Sequence, residues 1–212
     1  MGICIENLSY TYGEKRVLHN ICLSVSAGEH IGIIGTSGGG KSTLLKLLSG
    51  LYEKQNGTLV VHGAHTAVEI RKQVAMVMQG AQLFPASIRE NITCGHPIAD
   101  EVVERAVVAA QLKDWIETLP DGLHTFVGER GGKVSGGQAQ RIAIARAIAK
   151  DSAVILLDEA FSALDGDTAS AVLHGLEQLA HNKTVISVSH QKEALLYVNR
   201  LYALDGGRLH NA

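Results

Sequence analysis

The stretch Gly35–Ser42, GTSGGGKS, has the residue types and the spacing of a phosphate-binding loop. Glycines let backbone N–H groups converge on a phosphate without Cβ clashes, and a following helix adds the positive end of its dipole. In the pattern G-x-x-x-x-G-K-[ST], Lys41 offers a charge to the β- and γ-phosphates and Ser42 offers a hydroxyl to Mg²⁺. The pattern therefore predicts that the chain binds a nucleoside triphosphate.

Two acids, Asp158 and Glu159, end the apolar run Val154–Leu157. In a parallel sheet, ligands bind at the carboxyl ends of the strands, so we expect both acids to face the nucleotide. Adjacent strand residues point to opposite faces, which suits the two acids to different tasks. We predict that Asp158 binds Mg²⁺, directly or through water, and that Glu159 is the general base for water attacking the γ-phosphate. The alternative is an acidic turn at a solvated strand end.

A second candidate anion site is Ser135–Gln138, SGGQ, which precedes the helical pattern Gln138–Lys150. Ser135 is a good N-cap residue, and Gly136 and Gly137 leave backbone donors open at the start of a helix. The residues alone favour an ordinary capped helix after a loop, so the anion site is at this point the alternative.

Hydrophobic periodicity predicts strands that alternate with helices. The predicted strands are Ile3–Tyr10, Arg16–Val25, His30–Ile34, Thr58–His62, Val74–Met78, Ala153–Leu157, Thr184–Ser189 and Leu201–Leu204. The predicted helices are Lys41–Ser49, Asp100–Leu119, Gln138–Lys150, Thr168–His181 and Glu193–Val198. This order indicates βαβ units and a doubly wound parallel sheet, with a helical insertion from about Leu83 to Arg130.

Composition narrows the class of protein. A chain of 212 residues with 46% hydrophobic residues predicts one domain, or one domain with an inserted subdomain, around a substantial core. The net charge of −2 argues against a nucleic-acid partner. The cysteines lie far apart without CxxC spacing, and they are typical of buried residues in a reducing compartment. Because no apolar run reaches the length of a membrane span, we expect any membrane role to come through a partner or through a segment outside this chain.

The chain resembles the nucleotide-binding domain of ABC transporters along essentially its whole length. Six motifs in family order carry the resemblance: GTSGGGKST (35–43, Walker A), VMQ ending at Gln79 (Q-loop), VSGGQ (134–138, signature), VILLDE (154–159, Walker B), SALD (162–165, D-loop) and VSH ending at His190 (H-loop). The resemblance implies an α/β fold: a P-loop NTPase core with a mostly parallel sheet, an N-terminal antiparallel β subdomain and an inserted α-helical subdomain. It implies one ATPase domain over 1–212, with the core at about 1–82 and 131–212 and the helical subdomain at about 83–130.

In this family two domains pair head to tail, and each ATP lies between the Walker A motif of one and the signature of the other. The resemblance therefore implies ATP and Mg²⁺ as cofactors and a second nucleotide-binding domain as partner, most simply an identical copy. The residues it implies for nucleotide binding are Tyr12 at the adenine, Gly35, Thr36, Ser37, Gly38, Gly39, Gly40, Lys41, Ser42, Thr43 and Gln79. Those implied to contact the ATP of the other copy are Ser135, Gly136, Gly137, Gln138 and Asp165. The implied catalytic residues are Glu159, His190 and Lys41, and the implied metal-binding residues are Ser42, Gln79 and Asp158.

Two further segments are similar to exporter-type members, LFPASIRENI (83–92) and FVGERGG (126–132). Importer-type domains usually lack this pair, and Glu129 would lie near the helices that couple to the membrane domain. We therefore expect the ATP-hydrolysing motor of an exporter, at the cytoplasmic face of a membrane. Its transmembrane domain would be a separate chain or fused upstream, as the short start before the first strand suggests.

Two alternatives remain open from the sequence. The first is a soluble ABC-type ATPase that acts on DNA or ribosomes; an uninterrupted, mildly acidic single cassette argues against it. The second is a nucleotide-binding module without turnover, against which the intact Glu159 and His190 argue. The departures from the family pattern, Gly80, Val134 and Gln191, remove no residue to which a catalytic role is assigned.

Overall fold

The computed structural model describes residues 2–179, 182–189, 195 and 197–212. The strands are β1 (Ile3–Tyr12), β2 (Lys15–Val25), β3 (His30–Ile34), β4 (Thr58–Val61), β5 (Val74–Val77), β6 (Val154–Asp158), β7 (Thr184–Val188), β8 (Arg200–Asp205) and β9 (Arg208–Asn211). The helices are α1 (Lys41–Leu48), α2 (Ala67–Gln73), α3 (Ile88–Thr93), α4 (Asp100–Ala109), α5 (Lys113–Glu117), α6 (Gly136–Ala149) and α7 (Gly166–Leu179), with short 3₁₀ helices at Gly122–His124 and Glu129–Gly131. The chain forms two compact units.

The first unit comprises 2–76, 152–159 and the described part of 180–212, and it opens with an antiparallel sheet. Its strand order is β2-β1-β4, and Ile3 of β1 lies opposite both Val25 and Val61. All three of these side chains are buried, because residues directly opposite one another on neighbouring strands lie on the same face of the sheet. The predicted N-terminal antiparallel β subdomain is confirmed.

The second sheet of this unit has the order β5-β6-β7-β3-β8-β9. Strands β6, β7, β3 and β8 pair in parallel, and β9 pairs antiparallel with β8. Every residue of β6 and β7 is buried, as expected for central parallel strands that are covered on both faces. The mostly parallel sheet of the prediction is therefore confirmed.

Helix α1 follows β3 and packs in the same core. Four of its leucines are fully buried: Leu44, Leu45, Leu47 and Leu48. Each of them stabilises the fold by roughly 1.5–3 kcal/mol because its side chain is removed from water. Gly50 follows with a φ of 70°, so it ends the helix in the left-handed conformation that glycine adopts without strain. The pattern of leucines and the glycine predicted both the helix and its end.

The second unit comprises 77–151 and 160–179, and it contains the helices α3 to α7. Helices α3 and α4 pack against α6. Asn91 of α3 is fully buried; its amide donates to the carbonyls of Phe84 and Ser87 and accepts from the Phe84 N–H. Arg146 of α6 donates from Nε to the Asn91 carbonyl at 2.7 Å and from Nη2 to its side-chain oxygen at 3.2 Å. A buried polar network therefore ties the segment before α3 to α6.

The prediction of one helix over Asp100–Leu119 is wrong. Helix α4 ends at Ala109 and α5 begins at Lys113, because Gln111 adopts a left-handed φ of 54°. The Gln111 carbonyl accepts a hydrogen bond from the Arg141 guanidinium, a contact between residues far apart in sequence. Helices α2 and α3 and strand β9 were not predicted.

Two predicted helices are described in part. Half of Glu193–Val198 lies outside the described residues, and so does the predicted end of Thr168–His181, which the structure describes as Gly166–Leu179. Within the described residues, no helix has both the length and the hydropathy that crossing a membrane requires.

Candidate nucleotide-binding site

The phosphate-binding loop, Gly35–Thr43, connects β3 to α1 in the first unit. Gly38 and Gly40 have φ values of 77° and 104°, a region in which a residue with a Cβ is strained. Gly40 is the N-cap of α1, and no described side chain caps this helix end. The first N–H groups of α1 and the positive end of its dipole therefore suit an anion.

Lys41 lies inside this loop rather than on its surface. Its side chain is 9% exposed, and its ammonium donates to the carbonyls of Gly35 at 2.7 Å and Thr36 at 2.9 Å. An ammonium has three N–H donors, so one more can reach a phosphate oxygen. Ser42, the next residue, is exposed. The lysine both closes the loop and brings a positive charge to it.

The two acids lie on the same edge of the parallel sheet as this loop. Val188 of β7 lies between Ile33 of β3 and Asp158 of β6 in register. Two strand spacings separate Ile33 from Asp158, about 10 Å between backbones. The loop that follows β3 and the acids that end β6 therefore start from neighbouring points, as the topology of open α/β sheets requires of ligand-binding groups.

Asp158 and Glu159 differ in environment. Asp158 is 7% exposed, whereas Glu159 is half-buried and has a φ of 50°, which is uncommon for a residue other than glycine. The Glu159 N–H donates to the Val188 carbonyl at 2.9 Å and holds this turn in place. Strained backbone concentrates at functional sites, so the turn supports a role for the Glu159 carboxylate.

Tyr12 belongs to a cluster of three tyrosines. Tyr10 and Tyr52 stack with ring centroids 5.6 Å apart, and the Tyr12 ring meets both edge-on. The Tyr12 hydroxyl lies 3.5 Å from Oγ1 of Thr43 in the phosphate-binding loop. Tyr12 is 42% exposed, and the burial of the rest of its surface raises the pKa of its hydroxyl. This neutral, supported ring next to the loop can stack on a base.

The signature segment, Ser135–Gln138, begins helix α6 in the second unit. Ser135 and Gln138 form a capping box: the Gln138 N–H donates to Ser135 Oγ at 3.2 Å, and the Ser135 N–H donates to Gln138 Oε1 at 2.7 Å. A Cβ on Gly137 would lie 3.2 Å from the Ala163 carbonyl, whereas Gly136 has open space. The segment is an ordered helix start whose first backbone donors belong to glycines.

Asp165 and Gln79 also lie in the second unit. Asp165 accepts hydrogen bonds from the N–H of Thr168 at 2.9 Å and from its hydroxyl at 2.8 Å. The Thr168 N–H holds the pKa of the Asp165 carboxyl below its ordinary value. Gln79 is exposed, and nearby the Ala81 N–H donates to the side chain of Gln140, which is 1% exposed.

The first unit thus brings together Tyr12, the phosphate-binding loop, Asp158 and Glu159, while the second holds Gln79, the signature segment and Asp165. His190 lies outside the described residues. Sequence reasoning missed Tyr52, which belongs to no motif, and it quoted Asn91 only as part of the segment 83–92 without giving it a role. Among the described residues, no three His, Cys, Asp or Glu side chains form a group that could hold a metal ion.

Comparison with known proteins identifies the family to which this chain belongs. Residues 18–162 match the family model described as ABC transporter. The chain is 41% identical over 98% of its length to the β-(1→2)glucan export ATP-binding/permease protein NdvA of Rhizobium johnstonii. It is 39% identical over 98% of its length to the ATP-dependent lipid A-core flippase of Desulfotalea psychrophila. It spans only 36% and 37% of these two proteins.

The structure of a bacterial Atm1-family ABC exporter with ATP bound is also similar. It superposes with a TM-score of 0.93 at 34% identity, covering 99% of this chain and 38% of the exporter chain. These relatives do not support the alternative of a soluble ATPase acting on DNA or ribosomes. The chain belongs to the ABC transporter family, and it corresponds to the ATP-binding, ATP-hydrolysing domain of exporter-type members.

Proposed function

We propose that this chain is the Mg²⁺-dependent ATPase motor of a membrane exporter and that it works as a head-to-tail dimer with ATP at the interface. The observation that carries the proposal is the placement of a glycine loop, a buried lysine and two acids on one edge of the parallel sheet. That edge is where an open α/β sheet binds its ligand.

Within one copy, the proposed roles follow the geometry. Tyr12 stacks on adenine, and the N–H groups of the loop bind the phosphates. The loop residues in this role are Gly35, Thr36, Ser37, Gly38, Gly39, Gly40, Lys41, Ser42 and Thr43. Lys41 in addition stabilises the charge that develops on the transferred phosphoryl group.

The oxygen donors of Ser42, Gln79 and Asp158 are the proposed Mg²⁺ ligands. Hydroxyl, amide and carboxylate oxygens are the hard donors that Mg²⁺ accepts, and this ion usually keeps several waters and phosphate oxygens as further ligands. That chemistry fits a site with few protein ligands, one of which, Asp158, is buried. When bound, Mg²⁺ neutralises charge on the β- and γ-phosphate oxygens.

Glu159 is the proposed general base. It orients a water in line with the γ-phosphate and accepts a proton from it as the bond to the leaving ADP breaks. His190 is proposed to contact the γ-phosphate and to help hold this water. The hydrogen bond from the Glu159 N–H to the Val188 carbonyl holds the backbone of the turn from which this carboxylate projects.

Residues of the second unit are proposed to act on the ATP of the other copy. There Ser135, Gly136, Gly137 and Gln138 contact the γ-phosphate, and Asp165 lies at the dimer interface. The glycines at the start of α6 and the Ser135 hydroxyl, which donates to no acceptor among the described residues, support this role, because an anion at a helix start gains from both. A homodimer is the simplest assembly, since one chain carries both halves of such a site.

The membrane partner follows from the relatives. One relative is named an ATP-binding/permease protein and the other an ATP-dependent flippase, and the chain spans only 36% and 37% of them; both names support a transmembrane domain in the same polypeptide or in a separate chain. We propose that the whole of 1–212 is one ATPase domain with a helical subdomain at about 83–130, held at the cytoplasmic face of the membrane. No nucleic-acid partner is proposed.

The test is the mass of Glu159→Gln by size-exclusion chromatography with light scattering, with and without ATP. Glutamine keeps the shape of the side chain but cannot take a proton, so ATP should remain bound and hold a dimer together. Adding Ser135→Arg should abolish the dimer while ATP binding to the monomer persists. Lys41→Ala should abolish binding itself.

Two controls make the result decisive. Ser135→Ala removes the same N-cap without adding bulk, so thermal unfolding of both Ser135 variants separates a lost cap, worth about 0.5–2 kcal/mol, from a blocked interface. If Glu159→Gln binds ATP but stays monomeric, the chain does not form the proposed dimer by itself: either it needs its membrane domain or a different partner to close, or the signature segment is only a capped helix. If Glu159→Gln turns over ATP at the wild-type rate, Glu159 is not the base.

A further inference from the structure

The phosphate-binding loop is attached to the turn between β8 and β9. The Thr36 N–H donates to Oδ1 of Asp205 at 2.9 Å, and the Thr36 hydroxyl donates to the same oxygen at 3.2 Å. One carboxylate oxygen thus accepts both donors of Thr36, the second residue of the loop. These residues are separated by 169 positions in sequence and meet because β8 pairs with β3.

The backbone of the loop also lies directly on this strand end. A Cβ on Gly35 would come within 2.2 Å of the Leu204 carbonyl oxygen, and a Cβ on Gly39 within 2.6 Å of the same atom. Real Cβ atoms do not approach a backbone oxygen so closely, so these two glycines allow the contact. The loop therefore takes its position from Leu204 and Asp205.

The turn is itself held by β2. The His19 N–H donates to the Gly207 carbonyl at 2.8 Å, and a Cβ on Gly207 would lie 2.3 Å from the Val17 carbonyl. Val17 also lies beneath Gly40, whose Cβ would be 3.2 Å from its carbonyl. Strand β2 thus supports the loop and the turn together, and Asp205 is the charged link between them.

The charge of Asp205 runs against phosphate binding. The Thr36 N–H holds the pKa of the Asp205 carboxyl below its ordinary value, with smaller contributions from His210 and Lys41, so it is ionised at neutral pH. A carboxylate beside a loop that receives a triphosphate repels the ligand. Its benefit must therefore lie in the two hydrogen bonds that it accepts, since charge-assisted bonds to a fixed acceptor are strong and directional.

We propose that Asp205 is a positioning residue of the nucleotide site: it holds Thr36 so that the loop N–H groups converge on the phosphates of ATP. This inference rests on the proposed function. The Asp205 side chain has two opposing effects on ATP binding: its hydrogen-bond acceptor favours binding, and its negative charge opposes it. Asparagine at this position keeps an acceptor oxygen and removes the charge, whereas alanine removes both.

The experiment measures the Kd of ATP by isothermal titration calorimetry in the Glu159→Gln background, where hydrolysis does not interfere. Asp205→Ala should weaken binding about tenfold, as the loss of a charge-assisted hydrogen bond predicts. Asp205→Asn, which keeps an acceptor oxygen for Thr36, should bind ATP more tightly than Asp205→Ala. Asp114→Ala, which removes an exposed aspartate of α5, is the matched control and should leave the Kd unchanged.

Kinetics with Glu159 intact supply a second readout. Asp205→Ala should raise the KM for ATP about tenfold with kcat at saturation within about twofold of the wild type, since the acceptor orders the loop and does not touch the reacting atoms. If Asp205→Ala does not fold, the comparison of Thr36→Val with Thr36→Ser decides. Valine removes one of the two donors to Asp205 and serine keeps both, so Thr36→Val should bind ATP more weakly than Thr36→Ser.

The outcomes distinguish this proposal from the one on which it rests. If the parent binds ATP and Asp205→Ala binds equally well, Asp205 does not position the loop. If Asp205→Asn is weakened as much as Asp205→Ala, the acceptor is not what matters, and the proposal is also wrong. If the parent itself fails to bind ATP, it is the proposed function that fails.

Discussion

The contact between Gly39 and strand β8 allows the effect of a single methyl group to be calculated. A Cβ at this position would lie 2.6 Å from the Leu204 carbonyl oxygen and 3.0 Å from the Thr36 carbonyl oxygen. Gly39 does not have a positive φ, so alanine is allowed there by its backbone conformation. Both obstacles are backbone atoms, which no change of rotamer can move, so the cost of Gly39→Ala is purely steric.

The magnitude follows from two opposing effects. Overpacking a well-packed site costs about 1–3 kcal/mol, while replacing glycine stabilises the fold by about 0.4–1 kcal/mol through the unfolded chain. We expect a net loss of about 1–2 kcal/mol in the free energy of unfolding. The loop must also move away from Leu204 by several tenths of an ångström, which misaligns N–H donors and weakens ATP binding at least about tenfold.

The assay is urea unfolding followed by ATP titration of the same preparation. The urea midpoint of Gly39→Ala should fall by about 0.5–1 M, given a typical dependence of about 2 kcal/mol per molar urea. Gly166→Ala is the matched control: Gly166 begins α7, has no positive φ and has nothing within 4 Å of a Cβ. It should leave the midpoint unchanged or raise it. A Gly39→Ala protein with the wild-type midpoint and wild-type Kd would refute the view that the loop rests on this strand.

Three further predictions test other parts of the chain. Tyr12→Ala should lose about 1–3 kcal/mol of ATP affinity with the stacked ring, whereas Tyr12→Phe keeps the ring and should stay close to wild type in a fluorescence titration. Asn91→Ala should lower the free energy of unfolding by about 2–4 kcal/mol, because it removes buried hydrogen bonds to Phe84, Ser87 and Arg146; a loss below about 1 kcal/mol in urea unfolding would contradict this. Asp165 has a lowered pKa in the folded state, so it stabilises the fold above its unfolded pKa, and this stabilisation is lost as the pH falls through the folded pKa. The Tm of Asp165→Asn should therefore fall less steeply in acid than that of the wild type, and equal slopes would contradict a stabilising role of the hydrogen bonds from Thr168.

Local signals in the sequence were sufficient for the elements that carry the site. Strand β3, the glycine loop and helix α1 are contiguous, so apolar periodicity and one motif define all three. Helices α2 and α3 also had a local signal: each begins with a capping box, Thr66 with Glu69 and Ser87 with Glu90. They were missed because 6 or 7 residues are too few for a helical period to stand out.

The missed features depend on contacts between distant residues. The break between helices α4 and α5 at Gln111 contains no glycine or proline that would predict it. The hydrogen bond that the Gln111 carbonyl accepts comes from Arg141, which belongs to another helix. The bond between Asp205 and Thr36 likewise depends on β8 lying beside β3, which is a property of the sheet order and not of either segment. No pattern of spacing in one chain contains this information.

The two candidate phosphate sites differ in a way that bears on how they would cooperate. The loop at Gly35–Thr43 uses glycines with positive φ and a helix end without a side-chain cap, so several backbone donors converge inside it. At the signature segment the capping box already satisfies the N–H groups of Ser135 and Gln138, which leaves the glycines and the Ser135 hydroxyl. The second site is therefore the weaker for a free anion. A weak, preformed site adds affinity to a phosphate that another surface already holds, and in the proposed dimer ATP held by the loop of the other copy would meet that condition.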